Sequence, residues 1–201
     1  MGKRPNDAGG RPVTDPRAMR ALAHPLRLEL LDQLAVAGTL TAAQASVRVG
    51  ETPANCSFHL RLLARYGFVE QAEGGRGRER PWRRVPGGIG TPATHDDETT
   101  ADAARALTDV MVERHLDTVR RYRADVQPGL PPEWLDLSGH TNVITHLTLQ
   151  EARELHDDMI AVLTRYHDRS TDPSRRPAGS RPVRFFGYLM PLPPDGAQDP
   201  A

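Results

Sequence analysis

The residue types best suited to chemistry on a polyanion lie in one run of the chain. Thr52 and Pro53 open a segment whose first side chains are small or polar, Ala54, Asn55 and Ser57, while Cys56, Leu60 and Leu63 recur at i, i+4 and i+7. That pattern predicts an amphipathic helix capped by Thr52, with an uncrowded polar end of the kind a DNA major groove admits. Arg76, Arg78, Arg80, Arg83 and Arg84 follow, opposed within that stretch only by Glu79. Placed around the turn Gly74-Gly75-Arg76-Gly77, they predict a short hairpin whose positive charge attracts a phosphate backbone. A solvated charge run is the other reading of those arginines taken alone.

No catalytic constellation competes with this. The sequence holds no phosphate loop, dinucleotide fingerprint, His-Glu-x-x-His helix or nucleophile elbow. Asp157 and Asp158 are adjacent, so on a helix they diverge by about 100° and form no acid pair. An enzyme is not expected, and neither is a cofactor.

The composition fits this picture once the charge is divided. The 201 residues carry 26 basic and 26 acidic side chains, a formal charge of zero. Residues 17–86 hold eleven arginines against six acids, and residues 87–201 hold twelve arginines against eighteen acids. A basic front and an acidic back imply a nucleic-acid module joined to a partner or sensor module. A hydrophobic content of 38% supports a modest core. The sequence contains neither a membrane-spanning apolar run nor a signal-peptide core, so a cytoplasmic protein without a membrane partner is expected. The single cysteine, Cys56, excludes an internal disulfide and a thiolate-cluster metal site.

The elements that must position the site read as follows. Residues 1–14, rich in Gly, Pro and charge, predict a disordered arm. Asp15 caps a first helix with Pro16 at its first position and Ala18, Met19 and Leu22 inward. Pro25 restarts the chain into a second helix with Leu26, Leu30, Leu31 and Leu34, stopped by Gly38. Thr41 opens a third, with Ala42, Ala45, Val47 and Val49 inward and Gly50 at its end. The Thr52 helix closes at Gly67, and Phe68–Glu73 with Arg78–Val85 form the hairpin strands. Residues 15–86 are thus a winged helix-turn-helix domain, 87–97 a linker, and 98–127 a long helix. That helix carries two apolar stripes, one with Leu107, Val110 and Met111, the other with Val112, Leu116, Val119 and Val126. Two buried faces suit packing against its own domain and against a dimer mate, which makes Leu107, Val110, Met111, Leu116 and Val119 candidate dimerisation residues. Residues 133–190 predict a strand-helix-strand appendage: a strand over 141–147, a helix opened by the Thr148/Glu151 capping box, and an aromatic strand over 183–190. Residues 191–201 are a loose tail. The predicted fold class is therefore mainly α with a small β-wing, a long helix and a small α+β appendage.

The run Ala21-Leu-Ala-His-Pro-Leu-Arg-Leu-Glu-Leu-Leu31, taken with Ser57-Phe-His-Leu-Arg-Leu-Leu63 and Gly67-Phe-Val, resembles the arsenical-repressor-like (ArsR-type) winged-helix regulators. The resemblance covers residues 17–86 and, more loosely, the long helix. It implies a homodimeric transcription factor that binds operator DNA, often a repressor released by a metal or another ligand. By position it aims Ala54, Asn55, Ser57, Phe58 and Arg61 at bases and phosphates, beside the capping Thr52, and places Arg76, Arg78 and Arg80 on the wing. Asn55 is the best base reader, because its amide can pair bidentately with an adenine edge; Phe58 can touch a thymine methyl. Family members often carry a histidine where Phe58 stands, so base preference should differ.

Metal sensing draws little support. The third helix lacks cysteine and histidine, and His115 lies two residues from both Glu113 and Asp117 and so points away from them. His156 and His167 share a face but lie about 16 Å apart, and His140 and His146 are scattered. Cys56 reads as an inert core thiol, Trp82 as packing under the wing, and His59 as a histidine hydrogen-bonded within the domain. Trp134, Phe185, Phe186 and Tyr188 read as ordinary core rather than as a ligand pocket. The expected partners are double-stranded DNA, a second copy of the chain and an unidentified small-molecule or protein effector. The competing class is a protein-interaction scaffold that keeps the winged helix without specific DNA binding and docks partners on Phe185–Tyr188.

Overall fold

The computed structural model describes residues 13–74, 80–85, 90, 95 and 97–193. Each early helix begins where a short polar side chain can take up free N–H groups. Asp15 Oδ1 accepts from the Arg17 N–H at 2.8 Å to start α1 (Pro16–Leu22). At the start of α2 (Pro25–Ala37), His24 takes that role through Nδ1, which accepts from the Leu26 N–H at 3.2 Å. Thr41 and Gln44 form a reciprocal capping box on α3 (Ala42–Val49), and Gly50 ends it in the left-handed region at φ 71°. Thr52 Oγ1 accepts from the Asn55 N–H at 3.2 Å to open α4 (Pro53–Arg65).

The sheet has three strands in the order β1-β3-β2, all antiparallel: β1 (Thr39–Leu40), β2 (Val69–Gln71) and β3 (Trp82–Arg84). The two-residue β1 was not foreseen; it pairs Leu40 with Trp82 and ties the α2–α3 turn to the root of the wing. One core joins these elements. Met19 and Leu22 of α1, Leu30, Leu31 and Leu34 of α2, Cys56, Leu60 and Leu63 of α4, and Val69 and Trp82 of the sheet are all buried in it.

The long helix α5 (Glu98–Arg121), capped by Asp97, lies along α1 and closes this core with Ala103, Ala104 and Leu107. Leu107, a candidate for a dimer seam by its spacing, is fully buried within the single chain, and Val110 and Met111 pack partly on the same core. The reason is register: those three residues share the face of Ala103 and Ala104, whose small side chains let α1 approach. Leu116 and Val119, on the other stripe, remain exposed. A π-turn, Tyr122–Val126, ends the helix.

Other expectations need correction. Val13, placed in the disordered arm, is buried and donates its N–H to the Gly90 carbonyl at 2.9 Å. Val47 faces solvent, because Ala42, Ala45 and Val49 define the inward face of α3 and Val47 lies a half-turn away. The appendage contains α6 (Pro132–Leu135), α7 (Leu149–Thr164) and α8 (Asp168–Thr171), but no strand over 141–147 or 183–190. β-prone residues form a strand only against a partner edge, and neither segment has one; Val143, Ile144, Val183 and Phe185 are all exposed. Trp134, Phe185, Phe186 and Tyr188 accordingly form no core: among the described residues from 108 to 193, none is buried. No helix among the described residues is long and apolar enough to cross a membrane.

The C-terminal segment nevertheless docks on the front half through polar contacts. The Arg176 guanidinium donates to the Val36 carbonyl at 2.8 Å and to the Ala35 carbonyl at 3.3 Å. Pro173 lies so close to Gly38, at φ 87°, that a Cβ there would come within 2.5 Å of its ring. Arg184 pairs with Asp32 at 2.7 Å, and Arg114 of α5 pairs with both Asp32 and Glu29. Phe186 stacks on His115 at 4.5 Å between ring centroids.

Candidate nucleic-acid interface

The helix-turn-helix pair, α3 and α4, turns its main apolar faces to the core and leaves Val47 and Phe58 exposed among the outer polar residues. On α4, Cys56, His59, Leu60 and Leu63 are buried, whereas Thr52, Pro53, Ala54, Phe58 and Arg61 are exposed and Asn55 and Ser57 half-buried. A groove of about 610 Å³ runs between the start of α3, the first turns of α4 and the root of the wing. Ala54, Ser57 and Arg61 line it from α4, and Arg80 faces them from the wing. Four of the nine residues assigned to DNA therefore share a single concavity.

Within it, the Arg61 guanidinium donates to Ser57 Oγ at 2.8 Å, which orients both side chains on one turn of helix. Thr52 Oγ1 is occupied as the cap of α4, so its role is to set the helix start. Asn55 does not line the groove; its amide donates to Glu51 Oε2 at 2.9 Å, one turn back. Reading a base edge requires that bond to break, and places a carboxylate beside the reader. Phe58 is 56% exposed and packs edge-on against the His59 ring, 5.3 Å away. Arg76 and Arg78 lie outside the described residues. Arg83 is held by Glu70 at 2.8 Å on the outer face of the wing, and Arg84 is turned towards α2, where burial lowers its pKa and Asp32 opposes that shift. Of the wing arginines described, Arg80 is thus the one that faces the groove.

Sequence reasoning missed Thr41, Gln71 and Trp82, which also border the groove. Thr41 was legible as a helix cap, and the cap is what brings the first turn of α3 to the groove wall. Trp82 is buried beneath the wing and floors the groove. Cys56 is buried, and burial, aided by Glu51, raises its thiol pKa. His59 is buried but differs from expectation: its Nδ1 has no hydrogen-bond partner. His115, His140, His146, His156 and His167 do not converge, and among the described residues no three His, Cys, Asp or Glu side chains are placed to hold a metal ion.

Helix, helix, helix-turn-helix and wing, closed by a long helix, define a winged helix-turn-helix protein. Residues 22–72 match the model of a helix-turn-helix domain family, which supports a DNA-binding regulator. No curated protein matches the chain.

Proposed function

We propose that the chain is a transcriptional regulator of the arsenical-repressor-like type that binds a specific double-stranded operator as a homodimer and represses from it. The observation that carries this reading is the groove in which Ser57 and Arg61 of α4 oppose Arg80 of the wing. A recognition helix entering the major groove brings its first two turns against base edges, and a wing beside it reaches the flanking phosphates. The exposed stripe of Leu116 and Val119 on α5 supports pairing with a second copy, and the C-terminal half supplies an effector module. The reading contains no catalytic step.

The test is the salt dependence of binding to an operator selected from a random DNA pool. Arg61→Ala with Arg80→Ala should remove two phosphate neutralisations and flatten the slope of log K against log salt by about 1.8. An unchanged slope and affinity would reject the groove as the DNA face. The second reading, a protein-interaction scaffold, is favoured by the exposed Val183, Phe185, Tyr188 and Met190. It expects only weak, sequence-independent retention of DNA.

A further inference from the structure

We infer that His24 and His59 form a proton-operated latch between α2 and the recognition helix, so that acidification unseats α4 and weakens DNA binding. The inference rests on the DNA-binding reading for its consequence and on the packed pair, His59 buried and His24 half-buried, for its mechanism.

The two rings lie 4.7 Å apart, tilted at 43°, one at the N-cap of α2 and the other on the inner face of α4. His24 Nδ1 accepts the Leu26 N–H, which fixes its neutral form as the Nε2–H tautomer. A second proton must therefore go to Nδ1, where it removes the cap and puts positive charge at a helix N-terminus that favours negative charge. His59 is in a harder position. It is 8% exposed, and its Nδ1 is buried without an acceptor, so imidazolium there would carry an unsatisfied charged N–H.

The charged and titratable groups around the pair reinforce this. Arg27 of α2 is buried with an unpartnered Nε and repels a proton on either ring, while Glu51, before α4, favours one more weakly. Cys56 of α4 is a neutral thiol, and Tyr66 at the end of α4 acts on Arg27. Burial first, and then Arg27 for His24 and the His24 ring followed by Arg27 for His59, lower both histidine pKa values below the usual 6.5. The sign follows: above the unfolded value both states are neutral and stability is full. As pH falls below about 6.5 the unfolded chain takes up protons that the folded one resists, and stability is lost until the folded pKa values are passed. His59 carries the exposed Phe58 on its edge, so the change reaches the outer surface of α4 directly.

Simple electrostatics makes the opposite prediction for binding, because a protein gains positive charge on acidification and should hold DNA more tightly. The experiment compares the full-length chain with His24→Asn/His59→Gln, in which Asn keeps the cap acceptor. Anisotropy of a labelled mixed-sequence duplex and thermal melts are followed from pH 8 to pH 5. Expected are a several-fold weakening of wild-type binding and a melting temperature that falls by several degrees more than in the variant. Equal pH profiles for the two proteins would overturn the latch. If the double variant fails to fold, the imidazole titrations of the wild-type chain decide by NMR: values for His24 and His59 below 6.5 uphold it, and values at or above 6.5 overturn it. Absence of any duplex binding at pH 8 would sink the DNA reading instead, with the melts and titrations still deciding the latch.

Discussion

Replacing Leu107 with alanine separates the two roles that α5 can play. Leu107 has no exposed surface and sits where α5 closes over the helical core. Truncation removes the transfer free energy of the lost methyls and leaves a cavity in the cluster that also holds Met19 and Leu22 of α1. Leucine-to-alanine changes at comparably buried sites cost about 2.7–5.0 kcal/mol. Taking about 3 kcal/mol, and about 4–8 °C per kcal/mol for a domain near 100 residues, the melting temperature should fall by roughly 12–24 °C. Leu116→Ala, at a position 46% exposed in the single chain, should change the intrinsic stability by about 0.5 kcal/mol or less. Thermal melts followed by circular dichroism, with sedimentation equilibrium on both variants, provide the assay. A Leu107→Ala protein that melts within a few degrees of wild type but sediments as a lighter species would refute the reasoning, because it would place Leu107 at a subunit seam.

Two further perturbations test the elements that position the site. Thr41→Ala removes the side-chain half of the α3 capping box and should cost about 1 kcal/mol, read as a lowered melting temperature with faster amide exchange in the first turn of α3. Arg176→Ala should leave the Ala35 and Val36 carbonyls to water and loosen the C-terminal segment; limited proteolysis between residues 165 and 190 should accelerate while the front domain stays intact.

The front domain was legible because its signals are local. Asp15-Pro16, Thr41 and Thr52-Pro53 are caps written in one or two residues, and the apolar spacing of α4 leaves one possible inward face, whereas α2 is apolar around much of its girth and also buries Arg27 and Leu28. The same locality explains Ser57, Arg61 and Arg80, since a recognition helix and a wing root fix what their neighbours face. Elsewhere the governing contacts are distant in sequence. β1 is two residues long and exists only because Trp82 and Arg83 lie beside it. Val47 was misplaced because a helix of eight residues crowded with small side chains admits two phases, and packing on α4 selects one. The segments 141–147 and 183–190 have the composition of strands but lack an edge to join, so side-chain preference alone misled. The Asn55–Glu51 bond, four residues apart across the Thr52 cap, is local in sequence, whereas the meeting of His24 with His59 is not.

α2 is where these distant contacts converge, and its two ends are held by different halves of the protein. At the N-terminus, His24 accepts the Leu26 N–H while its ring lies against His59 of the recognition helix. At the C-terminus, Arg176 of the extension supplies the donors and the positive charge that the last carbonyls of a helix favour. Between them Glu29 and Asp32 hold Arg114 of α5, and Asp32 also holds Arg184 of the extension. The acidic residues of α2 thus face α5 and the extension, while its cap faces α4. The extension is therefore tied to α2 through charge-assisted bonds. Between these attachments Leu30, Leu31 and Leu34 pack α2 tightly into the core. The acidic C-terminal half is thus tied to α2 through its own arginines, Arg114, Arg176 and Arg184, each set against a carboxylate or a carbonyl of that helix.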